Sequence, residues 1–213
     1  MRKAGDLIAQ MMRSADNQSN RKVVGEGSYG VVYESDTPGY VVKEARSFDE
    51  DLTREANFQS IAADMGIAPR VSAIESSPFE SDIFEMQDAR PNFELHRTNR
   101  QFPSGRDAVR VNQQLGALAL KGVRLDDRHN GNVLYNKATG RPMQIDFGIA
   151  GRVEGSDQVA TLANATAEGF EAAGLGDVAG IYRATVFDLL EGGDVADAMD
   201  VAKQGFSRLQ KIK

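Results

Sequence analysis

Between residues 21 and 88 the apolar positions come in short runs broken by turn residues. Beyond residue 105 they recur every three or four positions. The first regime predicts strands at Val23-Val24, Val31-Val32-Tyr33 and Tyr40-Val41-Val42, the last two joined by the turn Asp36-Thr37-Pro38-Gly39. Residues 71–74 and 82–86 predict two more strands around a Ser/Pro turn. Between the third and fourth strands, residues 49–64 predict a helix with Leu52, Ala56, Ile61 and Ala62 inward. In the second regime residues 106–121 predict an amphipathic helix burying Val109, Val111, Leu115, Leu118 and Leu120. Residues 133–135 and 143–145 predict a hairpin around 136–140, and the chain beyond is helical, with Val195, Met199, Ala202, Phe206 and Leu209 stepping by four and three. Leu7, Ile8, Met11 and Met12 predict one further helix over residues 3–16. Residues 88–104 are polar, hold Pro91 and Pro103 and show no period, so a lobe boundary is expected at their start. The organisation expected is an extension over 1–20, a strand-rich lobe over 21–88 and a helix-rich lobe over 89–213, an α+β chain.

Composition narrows the chemistry. The 213 residues include no cysteine, which excludes disulfides, thiolate metal sites and a cysteine nucleophile. The two histidines, His96 and His129, are too few for a His-based metal site. A net charge of −6 argues against nucleic acid as a partner. No apolar run is long enough to span a bilayer. Arg2 and Lys3 are followed by Asp6 and by no long apolar stretch, so no Sec leader is expected and the reading is a soluble cytosolic protein. A monomer is expected.

Four segments carry candidate chemistry. Gly25-Glu26-Gly27-Ser28-Tyr29-Gly30-Val31-Val32 fits G-x-G-x-x-G-x-V and joins strand to strand, whereas a dinucleotide fold or a Walker loop joins strand to helix. Glycine lets a backbone approach phosphates closely. Lys43 ends the third strand, where an ammonium can reach the α- and β-phosphates. It needs a carboxylate to hold it; Glu55 on the following helix is the candidate, with Glu44 and Glu50 as rivals. Asp127 and Asn132 stand five apart between a helix and a strand, and Asp146-Phe147-Gly148 follows the next hairpin. A hydroxyl nucleophile needs an acceptor for its proton, which suits Asp127. Magnesium takes hard oxygens from one or two side chains plus phosphates, which suits Asn132 and Asp146. Phe147 is expected to pack inward and fix the direction of Asp146.

In this order, over residues 21–150, these motifs resemble the protein-kinase superfamily. The resemblance implies a minimal two-lobed kinase-like fold: a five-stranded N-lobe sheet plus helix, a reduced helical C-lobe, and ATP with Mg²⁺, or Mn²⁺ in its place. It implies Asp127 as catalytic base, Lys43 and Glu55 as the phosphate-holding pair, and Asn132 and Asp146 on the metal. Gly25, Gly27, Ser28 and Gly30 would line the phosphates, and Val32 and Leu134 would sandwich the adenine. Residues 83–87 would be the hinge, with Phe84 as gatekeeper and the backbones of Glu85 and Gln87 at the adenine edge.

The departures from that family also carry information. Leu125-Asp126-Asp127 replaces His-Arg-Asp, so the arginine that receives a phosphorylated activation loop is gone. His129 stands where the family has a lysine, within reach of the γ-phosphate by the resemblance. No Ala-Pro-Glu follows Asp146. Small size and a missing activation segment make the chain similar to the minimal kinases that bacterial type III systems deliver into host cells, the OspG, NleH and HopBF types. That resemblance implies a virulence effector, secreted into the host cytoplasm, whose partner is a host protein: a ubiquitin-conjugating enzyme or an HSP90-type chaperone. The function expected is a Ser/Thr protein kinase. The alternatives are a small-molecule kinase of the aminoglycoside or choline type and a pseudokinase that only binds a partner.

Overall fold

The computed structural model describes residues 21–27, 30–47, 50–77, 80–95 and 104–213. The helix expected over 3–16 and Ser28 lie outside the described residues. Contacts divide the chain into two units, Val71–Asp88 with the residues up to Thr53, and Arg54–Arg70 with Ala89–Lys213. Residues 54–70, which the sequence reading set within the first lobe, group with the second unit.

The first unit is an antiparallel sheet of β1 (Val23–Glu26), β2 (Gly30–Glu34), β3 (Tyr40–Ala45), β4 (Val71–Ser77) and β5 (Glu80–Gln87), in the order β1-β2-β3-β5-β4. β-branched residues favour the pleated backbone of β2 and β3. The turn between them forms as its sequence demands. The Tyr40 amide donates to the Thr37 carbonyl at 3.1 Å, and Gly39 takes φ +85°, a conformation costly for any residue with a Cβ.

The second unit starts with most of α1 (Leu52–Asp64). It continues through β6 (Phe93–Leu95), α2 (Gly105–Leu120), β7 (Val123–Arg124), a 3₁₀ turn at Asn130–Asn132, β8 (Val133–Asn136), β9 (Pro142–Gln144) and β10 (Gly151–Arg152). The helices α3 (Gly155–Ala172), α4 (Gly176–Glu191) and α5 (Val195–Leu209) complete it. One small sheet runs β6-β8-β9 and another pairs β7 with β10. One core sits under the loops, where Phe58 and Ala62 of α1 meet Leu115 and Leu118 of α2, Val133 of β8 and Phe147. A second core joins α3, α4 and α5 to the Val109 and Ala119 side of α2. Among the described residues, no helix is long and apolar enough to cross a membrane.

Two sequence expectations change. Leu120 is 37% exposed, because α2 ends there and the chain turns away through Gly122 at φ +71°. The stretch read as irregular contains β6, whose three residues are too few to show alternation. It is held from outside, by pairing with β8 and by Lys137 Nζ, which donates to the Arg90 carbonyl at 2.8 Å.

Candidate functional site

The first unit sets four expected nucleotide residues in one row. Register pairs Gly25 with Val32, Val32 with Lys43, and Lys43 with Phe84. Directly opposed residues share a face of a sheet, so the row lies on one side. Lys43 is only 7% exposed, against the usual exposure of lysine. Its stem runs beside Gly30, where an added Cβ would come within 3.1 Å of Lys43 Cε and 2.7 Å of the Glu44 carbonyl oxygen. The third glycine of the loop is therefore required by packing. The Gly27 amide donates to the Gly30 carbonyl at 2.9 Å and closes the hairpin.

The two rivals for Lys43 have partners or faces of their own. Glu44, its neighbour in β3, points to the opposite face. Burial pushes its carboxyl up, opposed by Arg21. Glu50 Oε2 accepts from the Arg46 amide at 2.7 Å. Phe84 is fully buried in β5. Glu85 is tied into the sheet: its carboxylate accepts from Ser35 Oγ at 2.5 Å and Ser72 Oγ at 2.7 Å, and its carbonyl from Ser72 Oγ at 3.3 Å. The two hydroxyl donors hold the Glu85 carboxyl below the usual carboxylate range. Gln87 is the last residue of β5, and the Asp88 amide still bonds back to Gly39 at 2.9 Å.

The second unit carries the acid–base and metal candidates. Asn132 Nδ2 donates to both the Asp127 carbonyl and Asp127 Oδ2, each at 3.1 Å. The Ile145 amide donates to the Asn132 carbonyl at 2.9 Å, which fixes the start of Asp146-Phe147-Gly148 beside the loop. Phe147 is fully buried in the core, as expected. Asp146 has φ +62°, the only non-glycine with positive φ among the described residues. Such backbone costs about 1–3 kcal/mol and persists only where the surroundings enforce it. Just after Asp146 the Phe147 ring is buried in the core, and the Ala150 amide donates to the Phe147 carbonyl at 2.9 Å. Leu134 lies in β8, half-buried, and pairs with Met143.

Glu55 lies in the first turn of α1 and is 2% exposed, so it is no solvated helix residue. One contact has no sequence signature. Arg54, next to it, donates through Nη2 to the Ala150 carbonyl at 2.6 Å and lies 5.8 Å from the Phe58 ring centroid. It ties α1 to the turn after Asp146.

Asn132 and Asp146 are the candidate cation ligands of the second unit, and each carries the hard oxygen such an ion takes. With Nδ2 committed to Asp127, Asn132 has its Oδ1 left for a cation, and Asp146 adds a carboxylate. Mg²⁺ completes such a pair with phosphate oxygens and water.

No family model matches the sequence, and no curated protein aligns with it. Among solved structures, the kinase PK-1 of Cydia pomonella granulovirus is similar with a TM-score of 0.51 and 12% identity, covering 77% of this chain and 74% of that one. Vaccinia related kinase 3 gives a TM-score of 0.47 and 13% identity, over 63% of this chain and 50% of that one. The likeness to PK-1 concerns the fold, and the mixed α+β architecture is protein-kinase-like.

Proposed function

We propose that this chain is an ATP- and Mg²⁺-dependent kinase that transfers the γ-phosphate to a Ser or Thr hydroxyl of a protein. The observation that carries the reading is the clamp on Asp127 and its junction to Asp146. Asn132 bonds the base candidate through its side chain and the segment leading into Asp146 through its carbonyl. The likeness to PK-1 over most of the chain supports it.

In this reading Asp127 accepts the proton of the acceptor hydroxyl as its oxygen bonds to the γ-phosphorus. The bond from that phosphorus to the bridging oxygen breaks, and ADP leaves with the electron pair. Asn132 and Asp146 would hold the cation. When bound, Mg²⁺ neutralises charge building on the phosphate oxygens. Lys43 holds the α- and β-phosphates, with Glu55 as its proposed anchor. The glycine loop, with Ser28, covers the phosphates. The partner implied by the effector resemblance, a ubiquitin-conjugating enzyme or an HSP90-type chaperone, belongs to the same proposal.

The test is transfer from γ-labelled ATP into a eukaryotic lysate with Mg²⁺, followed by identification of the labelled protein. Labelling is expected with wild type and lost in Asp127→Ala and Asp146→Ala. Wild-type protein that binds ATP and labels no protein overturns the reading. Label appearing only on added sugars or amines moves it to the small-molecule alternative.

A further inference from the structure

The catalytic-loop candidate contains a histidine with one ring nitrogen hydrogen-bonded to backbone and the other facing a carboxylate. His129 Nδ1 accepts from the Gly131 amide at 2.9 Å. A neutral imidazole has one N–H, so the proton of this ring sits on Nε2. That nitrogen stands 3.3 Å from Asp127 Oδ1. The other carboxylate oxygen, Oδ2, accepts from Asn132 Nδ2 at 3.1 Å. The ring also has a made-to-measure seat. A Cβ on Gly131 would lie 2.7 Å from His129 Cε1 and 2.8 Å from Nδ1, so any larger residue there pushes the imidazole out. The neighbouring cations are used elsewhere: Arg128 pairs with Glu168 at 3.2 Å and Arg124 with Asp126 at 2.7 Å.

From this we infer that His129 is the positioning residue of Asp127. It is a neutral donor whose tautomer is set by Gly131 and which fixes the carboxylate from the side opposite Asn132. The inference rests on the kinase reading. It differs from the expectation that His129 approaches the γ-phosphate, because Nδ1 is taken by the Gly131 amide and Nε2 faces Asp127. A carboxylate held at one oxygen only turns about its own side-chain bond, and misplacing a reacting group by about 1 Å costs up to about 10²-fold in rate. The loss therefore falls on kcat and spares ATP binding.

The experiment compares kcat and the KM for ATP in wild type, His129→Gln, His129→Asn and His129→Leu, each checked for an unchanged melting temperature. Gln keeps a donor where Nε2 was, whereas Asn keeps only a group near Nδ1. We expect Gln to stay within about threefold of wild type in kcat, and Asn and Leu to lose about 10- to 100-fold, with KM for ATP unchanged throughout. Leu equal to wild type, or Gln as poor as Leu, overturns the inference. Side-chain ¹⁵N NMR reads the tautomer without turnover. Protonated Nε2 and bare Nδ1, with a shift at His129 on Asp127→Asn, are expected. The opposite tautomer sinks the inference even in an active enzyme. Wild type without any turnover but with the expected tautomer sinks the kinase reading and leaves the pairing standing.

Discussion

Replacing Arg54 with alanine removes a side-chain hydrogen bond between α1 and the turn after Asp146. Two interactions go: the hydrogen bond from Nη2 to the Ala150 carbonyl at 2.6 Å, and the guanidinium 5.8 Å from the Phe58 ring centroid. A hydrogen bond from a charged group contributes about 1.5–3 kcal/mol, and an exposed cation–π contact about 0.5–1 kcal/mol. Arg54 is itself solvent-exposed, which puts the sum near the low end, about 2 kcal/mol. For a chain of this size, each kcal/mol lowers the melting temperature by about 2–4 °C, so a fall of about 4–8 °C is expected. A positioning effect adds a signature that stability alone does not. Ala150 closes the turn that begins at Phe147, and Phe147 directly follows the left-handed backbone of Asp146. If Asp146 is the cation ligand proposed above, its carboxylate then loses its fixed direction, so kcat should fall about tenfold and the Mg²⁺ concentration for half-maximal rate should rise. Arg54→Lys supplies charge without the planar fork and should fall between. Calorimetry and Mg²⁺-dependent kinetics on the three proteins decide it. Unchanged kcat and unchanged Mg²⁺ dependence, whatever the melting temperature does, refute the role assigned to Arg54.

Gly205→Ala should destabilise by about 1–3 kcal/mol without altering KM for ATP, since its Cβ would come within 2.2 Å of Tyr182 Cε2 where α5 crosses α4; thermal melts and kinetics check both. The Ser35 and Ser72 donors depress the Glu85 carboxyl from 4.5, so their contribution is present above that value and is lost as pH falls through the lower folded one. The stability gap between wild type and Ser35→Ala, from urea unfolding, should therefore be full near about pH 6 and shrink toward about pH 3; a gap independent of pH would refute it. Ser156→Glu, in the exposed first turn of α3, should leave kcat within about twofold and not lower the melting temperature, because a negative charge at a helix N-terminus contributes about 0.3–1 kcal/mol.

What the sequence revealed follows from the range of the interactions involved. Strands β1 to β5 were readable because each is a local run of β-branched or aromatic residues bounded by turn signals. The helix pattern ending in Leu209 was readable because Ala202, Phe206 and Leu209 each face one core. Lys43 illustrates a partial reading: its position in a strand suggested a role, but only burial separates it from an ordinary exposed lysine. Arg54 could not be found that way, because its partner is a backbone carbonyl 96 positions along, and any residue supplies one. His129 was noticed, yet its role was not, since the choice between phosphate and carboxylate depends on loop backbone that places Gly131 under the ring.

The replaced His-Arg-Asp triplet fits the same physics. Leu125, where the resembled kinases have histidine, is buried in the core beside Phe147. Asp126 pairs backward with Arg124 at 2.7 Å. An acid there cannot receive a phosphate on a neighbouring segment, because like charges repel and the nearest arginine already has a carboxylate. The work of ordering the turn after Asp146 has to come from groups present without modification. Two such groups are at hand: a hydrophobic ring sunk in the core, and a guanidinium on a backbone carbonyl. Neither needs a phosphate to form. On the proposed kinase reading, such a chain would hold the Asp146 carboxylate without any phosphorylation, and control would then fall on access of the acceptor hydroxyl or of ATP.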